Sequence, residues 1–238
     1  MTRAAASGNG AVNPGVRTTV SEAEQRELLV DAPRPFTKAE LSLGALTLPR
    51  ARFTLPTEES TDRADLTLLL TLRQLFQWRP DFAVGAAIDW GLRPTSDEII
   101  IESSRGPIKR SHSRNYLMVT GLVRYIPVVR PDYEIWLAAS GGALIVSDRY
   151  VSELDKAAIP VVVGPQATNI STEGGTVGIA AGFEYRLDRS WALGGFTQQM
   201  LWFLPEQKRC AQTLECATVG GRLFSFEVGL TATYRLRL

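Results

Sequence analysis

The sequence predicts an all-β chain: eight antiparallel strands running up and down around one closed barrel. Three observations carry this expectation. Apolar residues alternate with period two along much of the 238-residue chain, as they do when successive side chains point to opposite faces of a strand. The links between the alternating segments are short and long by turns. In several segments the less bulky face consists of Gly and Ala with isolated charges, where a soluble sheet would turn long polar side chains toward water.

Composition limits the alternatives. With 45% hydrophobic and 21% charged residues the chain is ordinary for a folded protein. Its 26 basic and 25 acidic residues leave a net charge of +1, so the basic excess that marks binding to phosphate backbones is absent and no nucleic-acid partner is expected. No apolar run reaches the length of a membrane-spanning helix, so any membrane role must use strands.

The first strand, about Thr37 to Leu48, alternates less regularly than the rest. In the second, Asp65 to Trp78, Leu66, Leu68, Leu70, Leu72, Phe76 and Trp78 share a face opposite Asp65, Thr67, Thr71 and Arg73. The third, FAVGAAIDWGLR, sets Phe82, Val84, Ala86, Ile88, Trp90 and Leu92 against Ala83, Gly85, Ala87, Asp89, Gly91 and Arg93. The fourth and fifth span about Arg114 to Ile126 and Tyr133 to Val146. In the sixth, Thr176 to Leu187, Val177, Ile179, Phe183 and Tyr185 oppose Gly178, Ala180, Gly182, Glu184 and Arg186. The seventh runs from Trp191 to about Leu204. The eighth, Phe224 to Leu238, places Phe224, Phe226, Val228 and Leu230 opposite Ser225, Glu227, Gly229, Thr231, Arg235 and Arg237.

Three links have hairpin length: Arg79-Pro80-Asp81, the Pro-containing turn between Ile126 and Tyr133, and Asp188-Arg189-Ser190. The other four, Pro49 to Ala64, Pro94 to Ser113, Ser147 to Gly175 and Pro205 to Leu223, are long and polar. An up-and-down path gathers every long link at one end of the barrel.

This asymmetry resembles the eight-stranded outer-membrane barrels of Gram-negative bacteria, the OmpA/OmpX-like class, over about Phe36 to Leu238. The resemblance implies a transmembrane barrel with short periplasmic turns and long extracellular loops, in contact with outer-membrane lipid and lipopolysaccharide. It also implies handling by the barrel-assembly machinery and a surface ligand, if there is one, held by the long loops. A tilted strand crosses the apolar layer in about 9 to 11 residues, and each segment is long enough. The bulky faces then meet lipid, and the Gly, Ala and charged faces fill an interior just wide enough for side chains. The terminal VGLTATYRLRL resembles the assembly signal of the class, with Leu238 where a final aromatic is usual and Tyr234 as the nearest aromatic.

Residues 1–35 form a separate expectation. They lack the basic segment and apolar core of a secretory signal. Ser7 to Val20 reads as disordered and SEAEQRELLVD as a short amphipathic helix, both on the periplasmic side.

Several side chains take roles in this scheme. Phe76, Trp78, Phe82, Tyr125, Tyr133, Tyr185 and Trp191 lie beside short turns on the apolar parity, as in an aromatic girdle. Arg73, Arg124, Glu134, Glu184, Arg186, Arg235 and Arg237 fall on the inward parity and are expected to form a lumen charge network. Folding strands four and five back about Val129 sets Arg124 opposite Glu134, within reach of a direct salt bridge. Cys210 and Cys216, the only cysteines, are expected to form a disulfide in the last long loop of an exported protein.

No catalytic residue, cofactor site or metal site is expected. The single histidine, His112, lies between Ser111 and Ser113 with no clear acid partner, and reads as an exposed residue at a loop end. Gly141-Gly142 and Gly174-Gly175 read as strand bends or turns rather than phosphate loops. Glu58, Glu59 and Asp62 read as solvated loop charge. The function expected is therefore structural, anchoring or surface-binding, with two alternatives: an outer-membrane lipid A hydrolase, and a soluble lipocalin-like ligand-binding barrel.

Overall fold

The computed structural model describes residues 36–54, 60–92, 95–103, 106–152, 167–207, 209–211 and 216–237. The N-terminal segment, Glu58 and Glu59 lie outside these residues, as does the side chain of Asp62. The strands are β1 Phe36–Thr54, β2 Ser60–Arg79, β3 Phe82–Gly91, β4 Thr95–Ser103, β5 Gly106–Val129, β6 Tyr133–Ser152, β7 Ala167–Arg186, β8 Trp191–Phe203 and β9 Arg222–Arg237.

Neighbouring strands are antiparallel in the order β3-β2-β1-β9-β8-β7-β6-β5, and β3 pairs with β5 to close the ring. β4 pairs with the same β5 further along, from Thr95 opposite Arg114 to Ser103 opposite Gly106. β3 and β4 thus occupy one place, and the ring has eight. Closure pairs β3 on both sides, with β2 from Leu69 onward and with β5 from Phe82 to Trp90, and so removes the sheet edge within the ring.

The alternation that locates the strands also sets which side faces out. Leu230 is 74% exposed and Ile179 66%, whereas Leu69 is fully buried. Trp90, Leu70, Leu43 and Leu230 pair in one row across four adjacent strands on the outer surface. A soluble ligand-binding barrel would hydrate that surface, and this row speaks against it.

Strands β1, β2, β5, β6 and β7 run for 19 to 24 residues. Much of what reads as long connection is therefore strand. Residues 49–54 and 60–64 continue β1 and β2, 95–103 and 106–113 form a hairpin, and 147–152 and 167–175 lengthen β6 and β7. The physical reason is that a ladder continues wherever backbone partners align, but alternation fades once both faces can be polar. The Gly141-Gly142 and Gly174-Gly175 pairs lie inside β6 and β7, not at turns.

The glycines of the inner face make room for large lumen side chains. A Cβ on Gly182 would meet the indole of Trp136, one on Gly229 would lie 2.6 Å from the Phe196 ring, and one on Gly178 2.9 Å from Met200. Gly182→Val should therefore lower the unfolding free energy in detergent by about 1–3 kcal/mol through overpacking. An unchanged denaturant midpoint would contradict this packing.

Candidate functional site

The described lumen is packed in layers that differ in chemistry. At the short-turn end the inward positions of β1, β5, β6, β7 and β9 converge. Arg124 Nη1 donates to Glu40 Oε1 at 2.5 Å and to Glu184 Oε1 at 2.9 Å, while Nη2 donates to Glu40 Oε2 at 2.8 Å. Its guanidinium also lies 4.0 Å from the Trp136 ring centroid. Lys38 donates to Glu134, and to Glu184 Oε2 at 3.1 Å. Arg235 Nη2 reaches Glu134 Oε2 at 3.0 Å and Glu184 Oε2 at 3.4 Å, and Arg186 Nη2 reaches Glu134 Oε2 at 3.4 Å.

Glu134 and Glu184 are direct cross-strand partners. Like charges so placed repel, and Lys38 and Arg235, each bonded to both carboxylates, offset the repulsion. Lys38, Glu40, Arg124 and Glu134 are at most 2% exposed. Burial of that degree is tolerable only with such pairing.

The direct opposition of Arg124 and Glu134 is a correction. Arg124 pairs with Ala138, and Glu134 with Val129, because the register shifts between Tyr125 and Val128. The irregularity falls at Ile126-Pro127, where proline has no N–H for the ladder. Tyr125 accordingly faces Leu137 rather than Tyr133. Lys38 and Glu40, outside the charge network expected from sequence, complete the cluster. Their signal was available, since they share the parity opposite Leu41 and Leu43. Arg73 sits one layer deeper, donating to Ser42 Oγ at 3.0 Å and lying 4.3 Å from the Phe196 ring centroid. Arg237 pairs through its backbone with Phe36, and its side chain lies outside the described residues.

Above the charges is a polar belt. Thr71 Oγ1 donates to Asp89 Oδ1 at 2.6 Å, Ser42 and Thr231 share a hydrogen bond of 2.8 Å, and Gln198 opposes Glu227. A cavity of about 20 Å³ beside Arg73, Asp89 and Gln198 has room for a single water.

The next layer is apolar, which the small and charged inner faces did not suggest. Leu46, Leu48, Leu69, Met118, Leu144, Met200 and Trp202 form one buried cluster there. Tyr116 and Trp202 rings pack 5.3 Å apart.

A second polar cluster lies at the long-link end. His112, expected to be exposed, is only 1% exposed. Its Nε2 is 2.8 Å from Asp148 Oδ1 and its ring stacks on Tyr150 with centroids 4.6 Å apart. The long β5 carries it inward with Arg114, whose Nη1 donates to Asp65 Oδ2 at 2.9 Å and whose Nε donates to Asp148 Oδ1 at 3.2 Å. His112 thus has an acid partner. A hydrolase also needs a hydroxyl on the other ring nitrogen, and among the described residues none bonds His112 Nδ1. Ser111 instead donates to the Val151 carbonyl.

Cys210 and Cys216 form a disulfide within the last connection. Maleimide should leave the unreduced protein unlabelled, and labelling without reductant would contradict the bond.

At the opposite end Phe76, Trp78, Tyr125, Tyr133, Tyr185 and Trp191 are exposed on the outer face, and Phe82 is half-buried. Trp78 and Phe82 meet edge to face at 5.2 Å, and Trp191 packs on Tyr234 at 4.9 Å. In the turn that follows Tyr185, Asp188 accepts the backbone N–H groups of Ser190 at 2.6 Å and Trp191 at 2.7 Å. Those bonds hold its carboxyl below the usual carboxylate range.

A closed eight-place antiparallel ring, apolar outside and packed with side chains inside, has the fold of the small outer-membrane β-barrels. Solved structures of that class are similar to it. A major outer membrane protein from Thermus thermophilus aligns over 84% of this chain and 99% of its own, with 12% identity and a TM-score of 0.50. The attachment invasion locus protein Ail of Yersinia pestis aligns over 86% and 100%, with 11% identity and a TM-score of 0.47. Neisserial surface protein A aligns over 86% and 97%, with 9% identity and a TM-score of 0.46. No family model and no curated sequence matches the chain.

Proposed function

We propose that the chain is a non-catalytic barrel of a Gram-negative outer membrane, serving as an envelope anchor or surface binder through its long connections. The observation that carries this reading is the packing of the described lumen: ion pairs cross its short-turn end, and an apolar layer crosses it below the polar cluster at the long-link end. With these two layers across the axis among the described residues, the long-link rim is the surface left for partners outside the cell. The apolar outer row supplies the lipid contact, and outer-membrane lipid, lipopolysaccharide and the assembly machinery are the partners such a barrel requires.

The test is cell fractionation with protease digestion of intact cells. The protein should partition with the outer membrane, be cut within its long connections and be protected at residues 79–82, 130–132 and 187–190. Recovery in a soluble fraction, or cutting at the short turns of intact cells, would overturn the proposal.

A further inference from the structure

We infer that residues 216–219 form a detachable stopper over the outer entrance of the lumen, held by a latch built from Asp148 and Arg114. Ala217, Thr218 and Val219 are buried, and Val219 packs into the same apolar cluster as Met118, Met200 and Trp202. Thr218 makes the hydrogen bonds between the stopper and the latch. Thr218 N donates to Asp148 Oδ2 at 3.1 Å, and Thr218 Oγ1 donates to Asp148 Oδ1 at 2.7 Å. The same hydroxyl accepts Arg114 Nε at 3.0 Å and also Arg114 Nη2. Tyr150 adds a bond of 2.8 Å to the Cys216 carbonyl.

The latch is preformed by the strands, because Asp65 holds the far side of Arg114 and His112 the near side of Asp148. The backbone bonds of the stopper are of another kind. Ala217 N donates to the Arg209 carbonyl within the same connection, and the disulfide ties the same two limbs. Among the described residues, the ladder pairs of β5 and β6 do not include 216–219. Release therefore breaks side-chain contacts and leaves the ring closed. Detachment is then a local opening outside the strand ladders, with a free energy below that of global unfolding. Its departure uncovers an apolar surface while the charged layer below stays shut.

Two native residues report on this. Met118 and Met200 lie beneath the stopper, and dilute hydrogen peroxide converts an accessible thioether to its sulfoxide. In folded wild type both should oxidise far more slowly than in the unfolded chain. Thr218→Val removes the hydroxyl's three bonds and should speed oxidation about tenfold, in keeping with the loss of hydrogen bonds to charged groups. Asp148→Asn should act in the same direction. Only protein with the heat-modifiable mobility of a folded barrel is scored.

Amide exchange on unaltered protein provides a second measurement, independent of any variant. The amides of Thr218 and Val219 should exchange faster than those of β5 and β6 at the same depth. Exchange as slow as in those strands would show a permanent core segment and overturn the inference. So would equal oxidation rates in wild type and both folded variants.

Discussion

Arg124→Ala should lower the unfolding free energy in detergent by about 3–5 kcal/mol, the usual cost of breaking a buried ion pair from one side. The substitution leaves Glu40 without its bidentate partner, removes a donor from Glu184 and uncovers the Trp136 face. Adding Glu40→Ala removes the stranded carboxylate, so the double variant should be less destabilised than the sum of the singles. A coupling of about 1–3 kcal/mol is expected for residues in one network. Additive effects would mean that each charge is separately solvated and that the network does not act as a unit. The register makes Glu40, not Glu134, the informative partner: Arg124 bonds the former, whereas Glu134 is held by Lys38, Arg186 and Arg235.

Leu230→Arg should cost about 2–4 kcal/mol in lipid, the penalty for a cation at the bilayer midplane on the outer face of a barrel. Leu230 is 74% exposed and sits in the apolar row with Leu43. Thr231, the adjacent residue, points inward and bonds Ser42. A cation at Leu230 therefore faces the surrounding medium without a protein partner. If that medium is water the change is nearly free. Equal unfolding free energies of Leu230→Arg and wild type in lipid vesicles would place this surface outside the apolar layer.

Alternation made the ring legible because lipid and lumen impose opposite demands on neighbouring residues. The outward rows of Leu66, Leu68 and Leu72, or of Val177, Ile179 and Phe183, carry that signal in every second position. It weakens where polar residues fall on both parities, so the sequence TSDEIIIES reads as a loop although its backbone pairs with β5. Parity also placed Arg124, Glu134, Glu184 and Arg235 on one side of the wall. It could not supply the register: the shift between Tyr125 and Val128 depends on how the strands fit around a proline, and it decides which charges meet. The burial of His112 escapes the sequence for a related reason. Flanking serines suggest exposure, but its partners Asp148 and Tyr150 lie 36 and 38 positions away along the chain and come beside it only through the extension of β6.

The central claim is a membrane-spanning barrel whose lumen is closed along its axis, and planar-bilayer recording tests it most directly. Purified protein inserted into a bilayer should show no steady single-channel conductance, because the paired charges around Arg124 and the apolar layer around Trp202 each block the path. A steady, reproducible conductance step from the wild-type protein would contradict the account.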